Sequence, residues 1–143
     1  MSTLYLSLGS NLGNRAELLE RAIVEINRRI GPIVARSSFH ETEPVGFVSE
    51  HAFLNACVRV ETNLTPFACL HETQAIEKDM GRVAKTTVKD GQPVYHDRCI
   101  DIDLLMYDEV RISTPELVLP HPRMNERAFV LDPLAEVLDR QVT

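Results

Sequence analysis

Apolar residues recur along this chain at two periods, and the switches between them outline its elements. Residues 3–7, Thr-Leu-Tyr-Leu-Ser, alternate as a short strand that should end at Gly9-Ser10-Asn11. Leu19, Ala22, Ile23, Ile26 and Ile30 then fall at helical spacing. Asn14 is placed to cap that helix, with Glu17 three residues on as in a capping box. Gly31-Pro32 should stop it, the glycine as a left-handed exit and the proline because it cannot continue a helix. Residues 33–38 have strand character that could extend through 39–43, before Pro44-Val45-Gly46 breaks the pattern. Residues 53–62, FLNACVRVET, alternate around Ala56, Val58 and Val60 and predict a strand.

Thr65 as cap and Pro66 at the first helical position open a second helix, which should run to about Met80 and end at Gly81. Residues 82–98 hold Asp90-Gly91 and Pro93 with little periodicity. They predict a long loop with room for a small hairpin, and loops of that length are often functional. Residues 99–107 are the clearest strand after the first, with Asp108-Glu109 turning back and 110–112 expected to pair on it. After Leu119-Pro120-His121-Pro122 comes a short helical segment near 125–128, and Leu131, Leu134, Val137 and Leu138 should close the core.

The resulting order, β-α-β-β-α-β, predicts an α+β sandwich of ferredoxin-like type, a mainly antiparallel sheet with helices packed on it. A parallel α/β sheet fits less well, because the second and third strands follow one another without a helix between them. At 143 residues, 44% apolar and 25% charged, the chain should form a single globular domain over 1–143. The N-terminus lacks the basic stretch and apolar core of a signal peptide, and no apolar run reaches membrane-spanning length. A cytoplasmic protein is expected, away from membranes. Cys57, Cys69 and Cys99 are odd in number and form no CxxC pair, so free thiols in a reducing compartment are expected rather than disulfides or zinc. No spare amphipathic helix or heptad repeat is visible, which favours a monomer.

A net charge of −6 argues against a nucleic-acid surface. It leaves room for a phosphorylated ligand, provided that basic groups or a metal ion gather locally. The segment His96-Asp97-Arg98-Cys99-Ile100-Asp101-Ile102-Asp103-Leu104-Leu105 offers such a place. Alternation puts Ile100, Ile102 and Leu104 on one face and Asp101 and Asp103 on the other, about 7 Å apart along the strand. Paired carboxylates repel unless a hard divalent cation sits between them. The alternative is a strand edge with two solvated acids. Arg98, Arg82, Lys85, Lys89, His121 and Arg127 flank the pair. Carboxylates for Mg²⁺ with arginines for phosphate is what phosphoryl transfer requires.

There is no GxxxxGK[ST] loop, and Gly9-Ser10-Asn11-Leu12-Gly13 reads mainly as a tight strand-to-helix turn. Gln74 and Glu77 lie within one turn of the second helix, where a lone Glu would ordinarily be a surface charge. Phe53 and Asn55 share a strand face. They could stack on a flat heterocycle and hydrogen-bond its edge, or be a core aromatic beside a polar edge.

Together these segments resemble the 6-hydroxymethyl-7,8-dihydropterin pyrophosphokinases. The resemblance rests on Leu8-Gly9-Ser10-Asn11-Leu12-Gly13, Thr42-Glu43-Pro44-Val45-Gly46, Phe53-Leu54-Asn55-Ala56, Ile76-Glu77 and Gly81-Arg82. It continues through Arg98-Cys99-Ile100-Asp101-Ile102-Asp103-Leu104-Leu105, Leu119-Pro120-His121-Pro122-Arg123-Met124 and Arg127-Ala128-Phe129-Val130-Leu131, so that it covers nearly the whole chain.

The resemblance implies a transferase that moves pyrophosphate from ATP to the pterin alcohol in folate synthesis. It implies that Asp101 and Asp103 hold two Mg²⁺ ions, and that Arg82, Arg98 and His121 neutralise the ATP phosphates. Gln74 and Glu77 would lie along the nucleotide site, and Arg127 would help to close it. Phe53 and Phe129 would sandwich the pterin, while Asn55 and main-chain groups of 42–46, Thr42, Val45 and Gly46 among them, read its edge. Loops at 43–51 and 82–97 would close over ATP.

Two departures stand out. Many family members carry a second arginine where this chain has Ala84, and the 82–98 loop is long and lacks an Arg-Trp pair. Two other readings remain: a non-catalytic nucleotide-binding module with a degenerate site, and a DxD metal phosphohydrolase. The second would not need the aromatics Phe53 and Phe129.

Overall fold

The computed structural model describes residues 1–11, 13–42, 52–81, 86–89, 92–95 and 100–138, with the backbone alone at 42, 86–89, 92–95 and 128. Strand β1 (Ser2–Ser10) runs antiparallel to β4 (Phe53–Thr62) on one side and to β7 (Asp101–Tyr107) on the other. β2 (Ile33–Arg36) and β3 (His40–Thr42) both pair with β4, giving the order β2-β4-β1-β7 with β3 beside β4. Helix α1 (Arg15–Arg29) joins β1 to β2, and α2 (Pro66–Asp79) follows β4. This is the ferredoxin-like α+β arrangement that the element order predicts.

One face of the sheet carries Leu4, Leu6 and Leu8 of β1, Ala56, Val58 and Val60 of β4, and Ile102 and Leu104 of β7. These pack on Leu19, Ala22, Ile23 and Ile26 of α1 and on Cys69, Ile76 and Met80 of α2. Burial of each leucine stabilises the fold by roughly 1.5–3 kcal/mol. The caps are as read from sequence: Asn14 accepts from the Glu17 N–H (3.2 Å), and Thr65 accepts from that of Ala68 (3.2 Å).

The opposite face is covered by α3 (Ala128–Val137), where the sequence predicts only a short helical segment near 125–128. The segment begins with a single 3-10 turn, Met124–Glu126, and α3 then continues through Pro133. Val130, Leu134 and Val137 of α3 bury against Tyr5, Cys57, Leu105 and Met124. Leu138, expected in the core, is exposed just beyond the helix. Arg59 donates to the Val137 carbonyl (3.0 Å), and the Cys57 thiol to that of Val130 (3.8 Å). Burial pushes the Cys57 thiol up to about 12, so it remains a protonated donor. Cys57 and Cys69 are free and buried as expected, and Cys99 lies outside the described residues.

Three other expectations change. β1 runs on through Gly9 and Ser10, because both remain in the ladder opposite Asn55 and Leu54. Gly31 is no left-handed exit: a Cβ there would stand 1.9 Å from the Glu61 carbonyl oxygen, so close chain approach dictates the glycine. The small hairpin anticipated within 82–98 is there, by contrast, as β5 (Thr86–Lys89) against β6 (Gln92–Tyr95). Finally, β8 (Ile112–Ser113) pairs with β9 (Val118–Leu119), not with β7. Thr114 closes that small hairpin through three 3.0 Å hydrogen bonds with Leu117: its N–H and hydroxyl donate to the Leu117 carbonyl, and the hydroxyl accepts the Leu117 N–H.

Candidate active site

The ladder places the candidate residues on the α3 side of the sheet. Asn55 of β4, Gly9 of β1 and Asp101 of β7 form one rung, and Cys57, Ser7 and Asp103 form the next. Rung partners project to the same face. Asn55 and Asp101 are therefore two strand spacings apart, about 10 Å. α3 packs over Tyr5, Cys57 and Leu105, toward the other end of this face.

A bulge sharpens the division. Tyr5 pairs with Met106 and Leu6 with Leu104, leaving Leu105 as an extra residue in β7. Alternation therefore holds from Asp101 to Leu104, and beyond it both Leu105 and Met106 turn toward α3.

Gly9 is the floor of the first rung. A Cβ there would lie 3.0 Å from Asn55 Oδ1 and 3.5 Å from Phe53 Cδ1. The carboxamide and the aromatic ring thus both lie over main chain. Asn55 is buried, and its Nδ2 donates to the His40 carbonyl at the long distance of 3.5 Å. Phe53 is half-buried.

Asp101 and Asp103 are half-buried beside buried Ile102 and Leu104. Among the described residues no third Asp, Glu, His or Cys forms a metal-holding cluster with them. Two hard oxygen donors on one strand face fit Mg²⁺, which usually binds one or two carboxylates and takes its remaining ligands from water and phosphate. β7 is held from behind by Glu77 of α2. This buried carboxylate accepts the outward Ile102 N–H at 2.8 Å. Glu77 is therefore not a surface charge, whereas Gln74, one turn earlier, is exposed.

The segment after β9 brings a histidine to the same place. The His121 N–H donates to the Leu105 carbonyl (2.8 Å), and its ring Nδ1 accepts from the Arg123 N–H (3.2 Å). In the neutral ring the proton therefore sits on Nε2. Burial first, then the charge of Arg127, holds the His121 pKa below its ordinary value of 6.5, against the opposing pull of Asp101. His121 is thus a hydrogen-bond donor at neutral pH in the ligand-free protein. The Arg127 guanidinium lies 5.5 Å from the ring centroid of Phe129, and that half-buried ring packs on the α3-side core.

Thr42 pairs with Phe53 at the end of β3, so its backbone borders the first rung. Arg82, Arg98, Val45 and Gly46 lie outside the described residues, as do Ala84 and Lys85. The anticipated closing loops fall there too, apart from the β5–β6 ladder.

The family model for 7,8-dihydro-6-hydroxymethylpterin-pyrophosphokinase (HPPK) matches residues 5–139. The chain belongs to this family. A Porphyromonas gingivalis protein named 2-amino-4-hydroxy-6-hydroxymethyldihydropteridine pyrophosphokinase is 49% identical over 138 residues, covering 96% of this chain and 91% of that relative. A Bacillus subtilis protein of the same name is 40% identical, over 93% of this chain and 76% of its own length.

Among solved structures, an HPPK-DHPS in complex with substrates superposes with a TM-score of 0.71 at 16% identity, over 95% of this chain. Plasmodium falciparum HPPK-DHPS, wild type with pteroate, gives 0.72 at 16% identity, over 94%. The chain spans only 39% and 38% of those two larger chains, and at such identity the likeness speaks for the fold alone. Sequence alone places Gly9 in a strand-to-helix turn rather than as a floor, and Glu77 along the nucleotide or on the helix surface rather than as a buried support of β7. Gly9 carried a signal, standing at the end of an alternating strand directly before Ser10-Asn11. Glu77 carried none beyond the family match.

Proposed function

We propose that this chain performs the HPPK reaction of folate synthesis, transferring pyrophosphate from ATP to 6-hydroxymethyl-7,8-dihydropterin with release of AMP. The observation that carries the reading is the Asn55–Gly9–Asp101 rung. It sets the Asn55 carboxamide and the carboxylate pair on one face, about 10 Å apart. That separation suits a pterin whose hydroxymethyl oxygen must reach a phosphate chain.

In this reading Phe53 and Phe129 enclose the pterin ring, and Asn55 with main-chain groups at Thr42, Val45 and Gly46 reads its edge. Asp101 and Asp103 hold two Mg²⁺ ions, which when bound neutralise charge on the phosphate oxygens. Arg82 and Arg98 grip those oxygens through their forked guanidiniums, and His121 donates its Nε2–H to them. Gln74 lines the nucleotide, and Glu77 serves it from behind by fixing β7. Arg127 closes the site beside Phe129.

The pterin hydroxymethyl oxygen attacks the β-phosphorus of ATP, its bond to the α–β bridging oxygen breaks, and AMP departs with that oxygen. Positioning and charge neutralisation supply most of the rate. Asp103 is the candidate to receive the hydroxyl proton. The protein acts as one domain, as a monomer, in the cytoplasm. Among the described residues no helix is long and apolar enough to cross a membrane.

The test is AMP release from ATP and Mg²⁺ with and without the pterin. Pterin-dependent AMP, matched by pterin pyrophosphate, is expected. AMP indifferent to the pterin would make the chain a hydrolase, and ATP binding without AMP would make it a binding module.

A further inference from the structure

His40 stands opposite Asn55 in the β3–β4 ladder. β3 has three residues and, among the described strands, pairs with β4 alone. So short a strand is weakly held, and a slip of one residue would turn each of its side chains to the other face. α3 supplies the missing hold. Glu136, near the end of that helix, accepts the Ser38 N–H (2.9 Å), the Ser38 hydroxyl (2.9 Å) and the His40 imidazole. These bonds, the Ser38 main-chain one foremost, keep the Glu136 carboxyl below the usual carboxylate range.

The trio of Ser, His and Glu is not built as a hydrolytic triad. Ser38 Oγ (3.3 Å) and Glu136 both meet Nε2 of His40, whereas a triad needs nucleophile and carboxylate on opposite ring nitrogens. Its effect runs instead through the main chain. The His40 carbonyl receives Asn55 Nδ2, which leaves Asn55 Oδ1 over Gly9. That carbonyl contributes to which end of the carboxamide donates and which accepts, and a heterocycle edge reads the two ends differently.

We infer that Glu136 is a positioning residue for pterin recognition: through Ser38 and His40 it fixes β3, and with β3 the orientation of the Asn55 carboxamide. This rests on the reading that Asn55 contacts the pterin. Glu136 itself lies at the far end of α3 from Phe129, the residue assigned to the pterin ring.

The experiment measures equilibrium binding of 6-hydroxymethyl-7,8-dihydropterin with Mg²⁺ and a non-hydrolysable ATP analogue. Glu136→Ala should weaken pterin binding about 3- to 10-fold, as expected for lost hydrogen bonds, while binding of the analogue alone stays as in the wild type and reports an intact fold. Glu136→Gln, which keeps one acceptor oxygen, should recover part of the loss. In an Asn55→Ala background, Glu136→Ala should cost nothing further. Wild-type pterin affinity in Glu136→Ala, alongside a clear loss in Asn55→Ala, overturns the inference alone. An equal loss from Glu136→Ala in both backgrounds, or a parallel fall in analogue binding, reduces the cluster to general stability and also overturns it. Wild-type affinity in Asn55→Ala overturns the Asn55 assignment, and this inference with it.

Discussion

Gly9 faces Asn55 across the β1–β4 ladder, and a methyl group added at Gly9 would stand 3.0 Å from the carboxamide oxygen. That is tighter than an ordinary van der Waals contact. The neighbour that must yield is the side chain assigned to the pterin edge. Gly9→Ala should therefore weaken pterin binding by about tenfold, some 1.4 kcal/mol, while an ATP analogue binds as before. Calorimetric titration of both ligands checks this, and unchanged pterin affinity would remove Gly9 from the site.

Asp101→Ala and Asp103→Ala should each cut turnover by more than about a hundredfold, consistent with losing several kcal/mol of charge stabilisation. Both side chains are half-buried at a strand surface, so the thermal midpoint should move little. Activity near wild type in either variant would end the metal assignment. A matching collapse in stability would mean that the loss came from the fold.

His121 gives a pH signature. Its folded pKa is lowered, so the unfolded chain takes up this proton at a higher pH than the folded one. The contribution to stability is present above the ordinary value of 6.5 and is lost as pH falls through the folded value. Ring NMR should show His121 titrating below 6.5, and His121→Gln should flatten the decline of stability in that acidic window. A midpoint at or above 6.5 in the ligand-free protein would contradict the packing described here.

Replacing Glu77 tests the support behind the strand that carries Asp101 and Asp103. Glu77→Ala leaves the Ile102 N–H without its carboxylate and should cost about 1.5–3 kcal/mol, the usual worth of a hydrogen bond to a charged group. Binding of the ATP analogue with Mg²⁺ should fall as well, since β7 carries Asp101 and Asp103. A drop in thermal midpoint without any change in nucleotide affinity would confine Glu77 to stability.

The main-sheet strands and the first two helices were legible because alternation and helical spacing were clean and the helix caps were local: Asn14 with Glu17, Thr65 with Pro66. α3 was not, because Pro133 interrupts what otherwise reads as a continuous helix. The resemblance led to Asp101, Asp103, Phe53 and Asn55 as a set, and the ladder aligns Asn55 with Asp101 through Gly9. Partners that lie on distant chain were not legible. Gly31 is dictated by the Glu61 carbonyl, Glu77 by Ile102, and Glu136 by Ser38, 98 positions earlier. No local pattern records such partners.

The bond between Glu77 and Ile102 also bears on solubility. β7 ends the order of the main sheet, and such a strand offers a row of main-chain donors to which another molecule can add a strand. Here one of those donors is already taken by a carboxylate of the same chain, and the helix that brings it, α2, stands beside the strand. At that donor the edge is capped against strand addition from the α2 side, while Asp101 and Asp103 project to the other face.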